Sequence, residues 1–226
     1  LFNIFWSEGQ PVLVGGFSKP NFELPPNFEF RSIDTQNYPA QRWSDGLIRL
    51  LNSINDDVFC FLLEDYWLCR TVPCGHIESL GEFMRMNPDI LRIDLTNDRL
   101  HSGRGVDIGY WGSTDLFETV SGTPYQLSLQ AALFNRKNLL RCLEPGLGPW
   151  DVELRGSELI PEGFSVLGTR NYLVRYVNAV GMQLDEKFRY RTEHIRDGAG
   201  GRTIERIPQE HLGIMLERGI LPPREK

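Results

Sequence analysis

The sequence predicts an α/β protein built on a mixed, mainly parallel sheet flanked by helices, and three observations carry that prediction. Val58-Phe59-Cys60-Phe61-Leu62-Leu63 is an unbroken apolar run, rich in aromatics and opened by a β-branched residue, the pattern of a strand buried on both faces. Leu47, Leu50, Leu51 and Ile54 precede it at helical spacing, so one face of a helix packs on the sheet. Leu91, Ile93 and Leu95 follow, alternating with Arg92 and Asp94 as in a strand with one polar face. A strand at Phe28 to Ile33, the helix and the apolar run then make a βαβ unit.

The remaining elements follow in order. Leu1 to Ser7 reads as the end of a helix closed by Gly9 and Pro11, and Pro11 to Gly15 as a short buried strand. Ser44 is placed to cap the next helix, with Asp45 in its first turn to suit the helix dipole. His76 to Met86 is expected to be helical, stopped by Asn87-Pro88. Asn97 to Gly122, glycine-rich and aromatic, suits β-ribbons or a long loop. Leu127 to Leu140 reads as a helix with Leu129, Ala132, Leu133, Leu139 and Leu140 mostly inward. Pro145 to Pro149 breaks it. Phe164 to Leu167 and Tyr172 to Val177 suit strands, and Gln209 to Arg218 a terminal helix stopped by Gly219. Asp197 to Gly201 is a linker, since no strand leads into it and no GKS/T follows.

With 226 residues, 41% of them hydrophobic, the chain can bury an ordinary core as one domain over 1–180, with 181–226 as a C-terminal extension. A net charge of −6 argues against a broad nucleic-acid surface, and no apolar span is long enough for an integral membrane segment. The scattered thiols Cys60, Cys69, Cys74 and Cys142 suggest a reducing, cytoplasmic compartment, with a Cys69–Cys74 disulfide as the alternative.

Glu64 and Asp65 follow the apolar run directly, and in open α/β sheets ligands arrive at the carboxyl ends of strands. Charges there need compensation by a divalent cation or by a network of donors. The competing reading has one carboxylate capping a helix and the other pairing with a base such as Arg70. His76, His101, His194 and His211 lack ligand spacing, which argues against zinc.

An apolar strand ending in a short acidic motif, the S-x-Q-x-A of Ser128, Gln130 and Ala132, and a downstream W-D-x-E with G-S (Trp150, Asp151, Glu153, Gly156, Ser157) together resemble glycosyltransferases of the GT-A fold. The likeness is to poorly characterised bacterial and viral members associated with surface-polysaccharide genes, and covers roughly Pro11 to Val180. The resemblance implies a GT-A-like sheet, a nucleotide-sugar donor, a carbohydrate or other hydroxyl acceptor, and usually Mn²⁺ or Mg²⁺. It also implies that the family's first strand precedes Leu1. Where that family usually carries D-x-D or D-D-x, this chain has Glu64-Asp65-Tyr66.

On this resemblance Asp65, with Glu64, holds the cation or the donor, as hard oxygen ligands would. Without a metal, Arg70, Arg99 and Arg104 are the cations available to the leaving phosphate. Asp34, Tyr38, Arg42 and Trp43 lie where a GT-A arrangement faces the nucleotide, although Trp43 also suits a hydrophobic staple. Gln130 is a candidate hydrogen-bond partner for a sugar, or a surface glutamine. An acceptor hydroxyl needs a general base, which Glu153 or Asp151 can supply. Glu153 is preferred because Asp151 can cap the following turn. A visible base and no evident nucleophile favour inversion. The rivals are a nucleotidyltransferase, for whose phosphate loop Gly15-Gly16-Phe17-Ser18-Lys19 is a faint match, and a non-catalytic carbohydrate-binding or assembly subunit.

Overall fold

A computed structural model describes residues 1–34, 39–101, 105–179, 183–184, 190–195 and 202–219. Tyr38, Arg104 and the glycine-rich stretch 197–201 lie outside the described residues. The chain opens with α1 (Phe2–Phe5), β1 (Val12–Gly16), β2 (Phe28–Ser32), α2 (Trp43–Asn52), β3 (Val58–Phe61) and β4 (Tyr66–Leu68). Next come α3 (Cys74–Met86), β5 (Ile90–Asp94), α4 (Asp98–His101), the hairpin β6 (Gly105–Trp111) and β7 (Thr114–Thr119), and β8 (Ala132–Asn135). The rest comprises α5 (Arg136–Arg141), α6 (Pro149–Glu158), β9 (Ser165–Thr169), β10 (Tyr176–Asn178), β11 (Gln183–Leu184), β12 (Tyr190–Ile195), β13 (Arg202–Arg206) and α7 (Gln209–Glu217).

The main sheet has six strands in the order β3-β8-β5-β9-β7-β6. Mixed α/β architecture is as expected, but the sheet is mostly antiparallel: only β5 and β9 run parallel within it. The reason lies in what an apolar run encodes. Burial on both faces requires cover on both faces, and that requirement is indifferent to strand direction. Here α3 covers one face through Ile77, Leu80 and Met84, packed with Ile93, Leu133 and Leu167. On the other, α2, α5 and α6 supply Leu47, Leu51, Leu139 and Val152 against Leu91, Phe134 and Val166. The apolar run of β3 sends Phe59 and Phe61 to the second cluster and Val58, Cys60 and Leu62 to the first.

Three further expectations are corrected. First, β2 and β3 do not share a sheet, so no βαβ unit closes: β2 pairs in parallel with β1 as a separate ribbon. Among the described pairings β3 has β8 alone as neighbour, and β1 has β2 alone. The open edges of β1 and β3 line one apolar groove, residue after residue from Val12 to Gly16 and from Val58 to Leu63, with Leu47, Leu50 and Leu51 of α2 beside them. Consecutive residues of a strand face a groove together only when its backbone edge does, because side chains alternate between faces.

Second, Leu127 to Leu140 is not one helix. Residues 127–131 run through a turn and a bend with no helix, β8 follows, and α5 begins after Asn135, whose Oδ1 accepts from Asn138 N at 3.2 Å as an N-cap. Short apolar runs carry too little periodicity to separate strand from helix. Third, the polar face of β5 is not solvated. Arg92 and Asp94 are both 0% exposed, because the 126–130 segment and α6 close over that side of the sheet.

Among the described residues the C-terminal elements pack on the body of the chain and not on a core of their own. Ile207, Leu212 and Met215 pack on Cys69 and Val177, and Arg175 Nε lies 3.0 Å from the buried Glu205 Oε1. All four cysteines are free thiols, so Cys69 and Cys74 form no disulfide. Among the described residues no helix is long and apolar enough to cross a membrane.

Candidate active site

The two acidic segments singled out in the sequence are joined by an unbroken chain of contacts. Asp65 lies in the turn between β3 and β4; its side chain bonds Asn178, and its carbonyl accepts from Ala179 N at 2.7 Å. Its neighbour Tyr66 opens β4, which pairs antiparallel with β10 and thereby sets Tyr66 opposite Asn178. The Tyr66 ring stacks on that of Tyr176 with centroids 4.1 Å apart and planes 18° apart, and a hydrogen bond links the hydroxyls. Tyr176 donates its hydroxyl to Gln130 Oε1, and Gln130 N donates to Ser128 Oγ at 3.3 Å. Ser128 bonds the Glu153 side chain, whose Oε1 also accepts from Leu129 N at 2.6 Å.

Glu153 is brought there by the fit of α6 against the 126–130 segment. Pro149 occupies the first helical position, where its missing N–H costs nothing. Asp151, exposed, accepts from Gly148 N at 3.3 Å through Oδ2 and so caps the helix start. Farther along, Leu127 N donates to Ser157 Oγ at 2.9 Å, and Ser157 returns a bond to the Glu153 carbonyl at 2.5 Å. Gly156 permits the approach: a Cβ there would stand 2.1 Å from Leu127 Cδ2 and 3.1 Å from the Cys142 carbonyl oxygen. The W-D-x-E-x-x-G-S pattern is therefore a cap, a half-buried acid, a packing glycine and a tether on one helix.

Beneath Glu153 lies a charged layer that the sequence reading missed. Asp94 accepts from Arg92 Nη2 at 3.1 Å, Thr96 Oγ1 at 2.9 Å, Thr96 N at 3.3 Å and Arg99 N at 3.1 Å. Arg99 pairs with Asp98 at 3.0 Å and donates to the Pro124 carbonyl at 3.2 Å. Arg92 Nε and Nη1 are buried without a hydrogen-bond partner among the described residues. The signal was present in the run Arg92-Ile93-Asp94-Leu95-Thr96, but alternation alone cannot say which face of a strand is covered.

The electrostatics follow from burial and crowding of acids. Burial first, and then the charge of Glu64, raise the Asp65 carboxyl above its ordinary range. Burial raises that of Glu153 as well, opposed by the Leu129 N–H, Arg92 and Ser128. Burial pushes Asp94 up and Arg92 down, and their pairing opposes both shifts. The Tyr66 hydroxyl is raised by burial and then by Asp65 and Glu153 together, so both carboxylates act on one phenol.

The other expected residues are less concentrated. Glu64 is exposed beside Asp65. Asp34 is ion-paired to Arg49, and Arg42 to Asp45 at 2.6 Å, tying the stretch after β2 to α2. Trp43 packs on the cluster beneath α2, and Ser44, expected to cap that helix, instead accepts from Leu147 N at 2.9 Å. Gln130 sits at a bend before β8, half-buried, and not on a helix. Arg70 is exposed and donates to the Cys69 carbonyl at 2.7 Å.

Among the described residues no group of three or more His, Cys, Asp and Glu is gathered to hold a metal. Glu64 and Asp65 are the adjacent carboxylates that would offer oxygen ligands to a hard cation, and burial first, then the charge of Glu64, raises the Asp65 carboxyl. No family model matches this chain, and no curated protein or solved structure shows significant similarity to it.

Proposed function

We propose that the chain transfers a sugar from a nucleotide-sugar donor to a hydroxyl acceptor with inversion at the anomeric carbon. The observation that supports this is the relay from Asp65 through Tyr66, Tyr176, Gln130 and Ser128 to Glu153, which fixes two carboxylates on one aromatic pair. The reaction calls for two such groups, because charge develops on the leaving phosphate at one end while a poor nucleophile must lose its proton at the other.

Asp65, with Glu64, orients the donor, as acceptors for its sugar hydroxyls or as the oxygens that would hold a cation against its diphosphate. A divalent cation held by these oxygens would supply neutralisation of the departing phosphate. Glu153 takes the acceptor proton. Its raised carboxyl brings it toward the working pH, where a general base is most effective. Gln130, fixed by Tyr176, offers its amide to a sugar hydroxyl, and Asp151 serves the helix.

The nucleotidyltransferase reading is weaker. Gly15 and Gly16 lie within β1 and not in a loop leading to a helix, and a Cβ on Gly15 would stand 2.5 Å from Leu50 Cδ2. The smallness of Gly15 serves packing against α2, and that of Gly16 the approach of the Phe30 ring. Calorimetry with a panel of nucleotide sugars, with and without Mn²⁺, tests the proposal. Binding of at least one donor, weakened by Asp65→Asn, is expected. Binding of nucleoside triphosphates alone favours the nucleotidyltransferase, binding of free saccharides alone favours a carbohydrate-binding subunit, and no binding at all overturns the reading.

A further inference from the structure

Four of the five tryptophans work in the packing of the chain. Trp6 stacks on Phe2, Trp43 packs on the cluster beneath α2, Trp67 lies against the C-terminal elements, and Trp111 donates its indole N–H to the Ser79 carbonyl at 2.9 Å. Trp150 is 76% exposed, and neither its ring nor its N–H has a partner among the described residues. Large aromatic side chains are mostly buried, so one left this bare on a well-packed helix requires an explanation.

Its place on α6 indicates what it serves. Val152 and Gly156 are the buried centre of that helix, and Glu153 and Ser157 form the flank bonded to Leu129 N and Leu127 N. At 3.6 residues per turn, Trp150 stands about 60° around the axis from Glu153, and Leu154, 49% exposed, about 40° farther on. Residues three and four apart on a helix are surface neighbours. The opposite flank is charged: Asp151 caps the helix start, and Arg155 pairs with Glu144 at 3.2 Å and Glu158 at 2.7 Å. An apolar shelf therefore borders the seam where Glu153 meets the 127–130 segment, and Gln130, next to Leu129, belongs to the other side of that seam.

We propose that Trp150, with Leu154 beside it, is the platform on which a saccharide acceptor stacks so that one of its hydroxyls meets Glu153. That the hydroxyl is then deprotonated rests on the sugar-transfer reading; the stacking does not. A pyranose ring is amphipathic. Its C–H face suits the electron-rich face of an indole, while its hydroxyls project from the edge, toward the Glu153 carboxylate and the Gln130 amide. An acyl chain calls for an enclosed apolar groove, which one bare ring and one leucine do not make, so a sugar and not a lipid fits this shelf.

The test is the indole N–H resonance of Trp150 in ¹⁵N-labelled protein, assigned with Trp150→Phe and followed as methyl pyranosides and short oligosaccharides are added without donor. At least one saccharide is expected to move it. Trp150→Ala should weaken binding of that saccharide by about tenfold or more, the loss typical of a central aromatic anchor, and Trp150→Phe should weaken it less. Both variants should bind nucleotide sugars as the parent does and melt at the parent's temperature, since the side chain has no partner in the described fold. Where transfer is measurable, Trp150→Ala raises the acceptor KM more than it lowers kcat. Unchanged saccharide binding in Trp150→Ala overturns the proposal, as does a resonance that no saccharide moves. A resonance that shifts with protein concentration alone assigns Trp150 to a contact between copies and overturns it too. Saccharide binding at Trp150 in a protein that binds no nucleotide sugar upholds the platform and removes the proposed function; donor binding with Trp150 silent does the reverse.

Discussion

Tyr66 and Tyr176 stack with ring centroids 4.1 Å apart, and this pair is the span between two acidic segments remote from each other in sequence. Tyr66 is the residue next to Asp65, while Tyr176 reaches Gln130 and, through Ser128, Glu153. Each tyrosine contributes a face to the stack and a hydroxyl to the relay. The antiparallel pairing of β4 with β10 sets their register.

Replacing Tyr176 by Phe keeps the stack and removes the donor to Gln130. A loss of about 0.5–1.5 kcal/mol in stability is expected, measured by urea unfolding. If Gln130 orients a sugar, apparent acceptor affinity falls while donor binding is retained. Equal loss of both would place Gln130 outside the acceptor subsite.

Asp65→Asn preserves shape while removing charge. Donor binding or donor hydrolysis should fall sharply, and any Mn²⁺ dependence should weaken with it. Unchanged binding isotherms in this variant would remove the turn after β3 from the proposed mechanism.

Glu153→Gln should lower turnover by about 10²- to 10⁴-fold with donor affinity nearly intact. Its effect on stability has the opposite sign. The folded state holds a proton on Glu153 more tightly than the unfolded chain does, because burial raises this carboxyl. Stability from this group is therefore fully present below the ordinary glutamate range, about 4.3, and is lost as pH rises through the folded value. Asp65, raised by burial and Glu64, acts in the same direction. The glutamine variant should accordingly be more stable than the parent at neutral pH and flatten the decline between acid and neutral, as denaturant midpoints at pH 4 to 7 would reveal. Asp151→Asn, by contrast, should be mild and purely structural, costing about 0.5–2 kcal/mol through the weakened cap.

Gly156→Ala is expected to destabilise by about 1–3 kcal/mol, the range for an added methyl forced into a packed contact. Leu127 Cδ2 can swing away, but the Cys142 carbonyl oxygen at 3.1 Å is backbone. A shift of α6 would carry Glu153 from Leu129 N, so turnover should drop along with the melting temperature. Wild-type turnover at reduced stability would show that the Glu153 tether tolerates helix movement.

Much of the chain was legible where local chemistry is decisive. The capping Asp151 and the half-buried Glu153 were separable because a carboxylate at the start of a helix has a different task from one a half-turn farther on. The turn after the apolar run carried Asp65 where expected. Direction was not legible: Phe59 and Phe61 look inward whether the neighbouring strand runs with them or against them. Arg92 and Asp94 read as one polar face because alternation of charged and apolar residues signals two different faces, not which of them the rest of the chain will cover. Tyr176 and Asn178 belong to the site only through the β4–β10 pairing, a contact between segments too distant in sequence for local patterns to announce.

The two open strand edges along the apolar groove have a practical consequence for handling this polypeptide. Strand edges that have no partner among the described residues, flanked by valine, leucine and phenylalanine, are a template for any extended chain, including another copy caught partly unfolded. Self-association should thus rise with concentration and temperature, and scattering should report it before loss of secondary structure. A lysine at Leu13, half-exposed on β1, would act as the gatekeeper that the edge lacks.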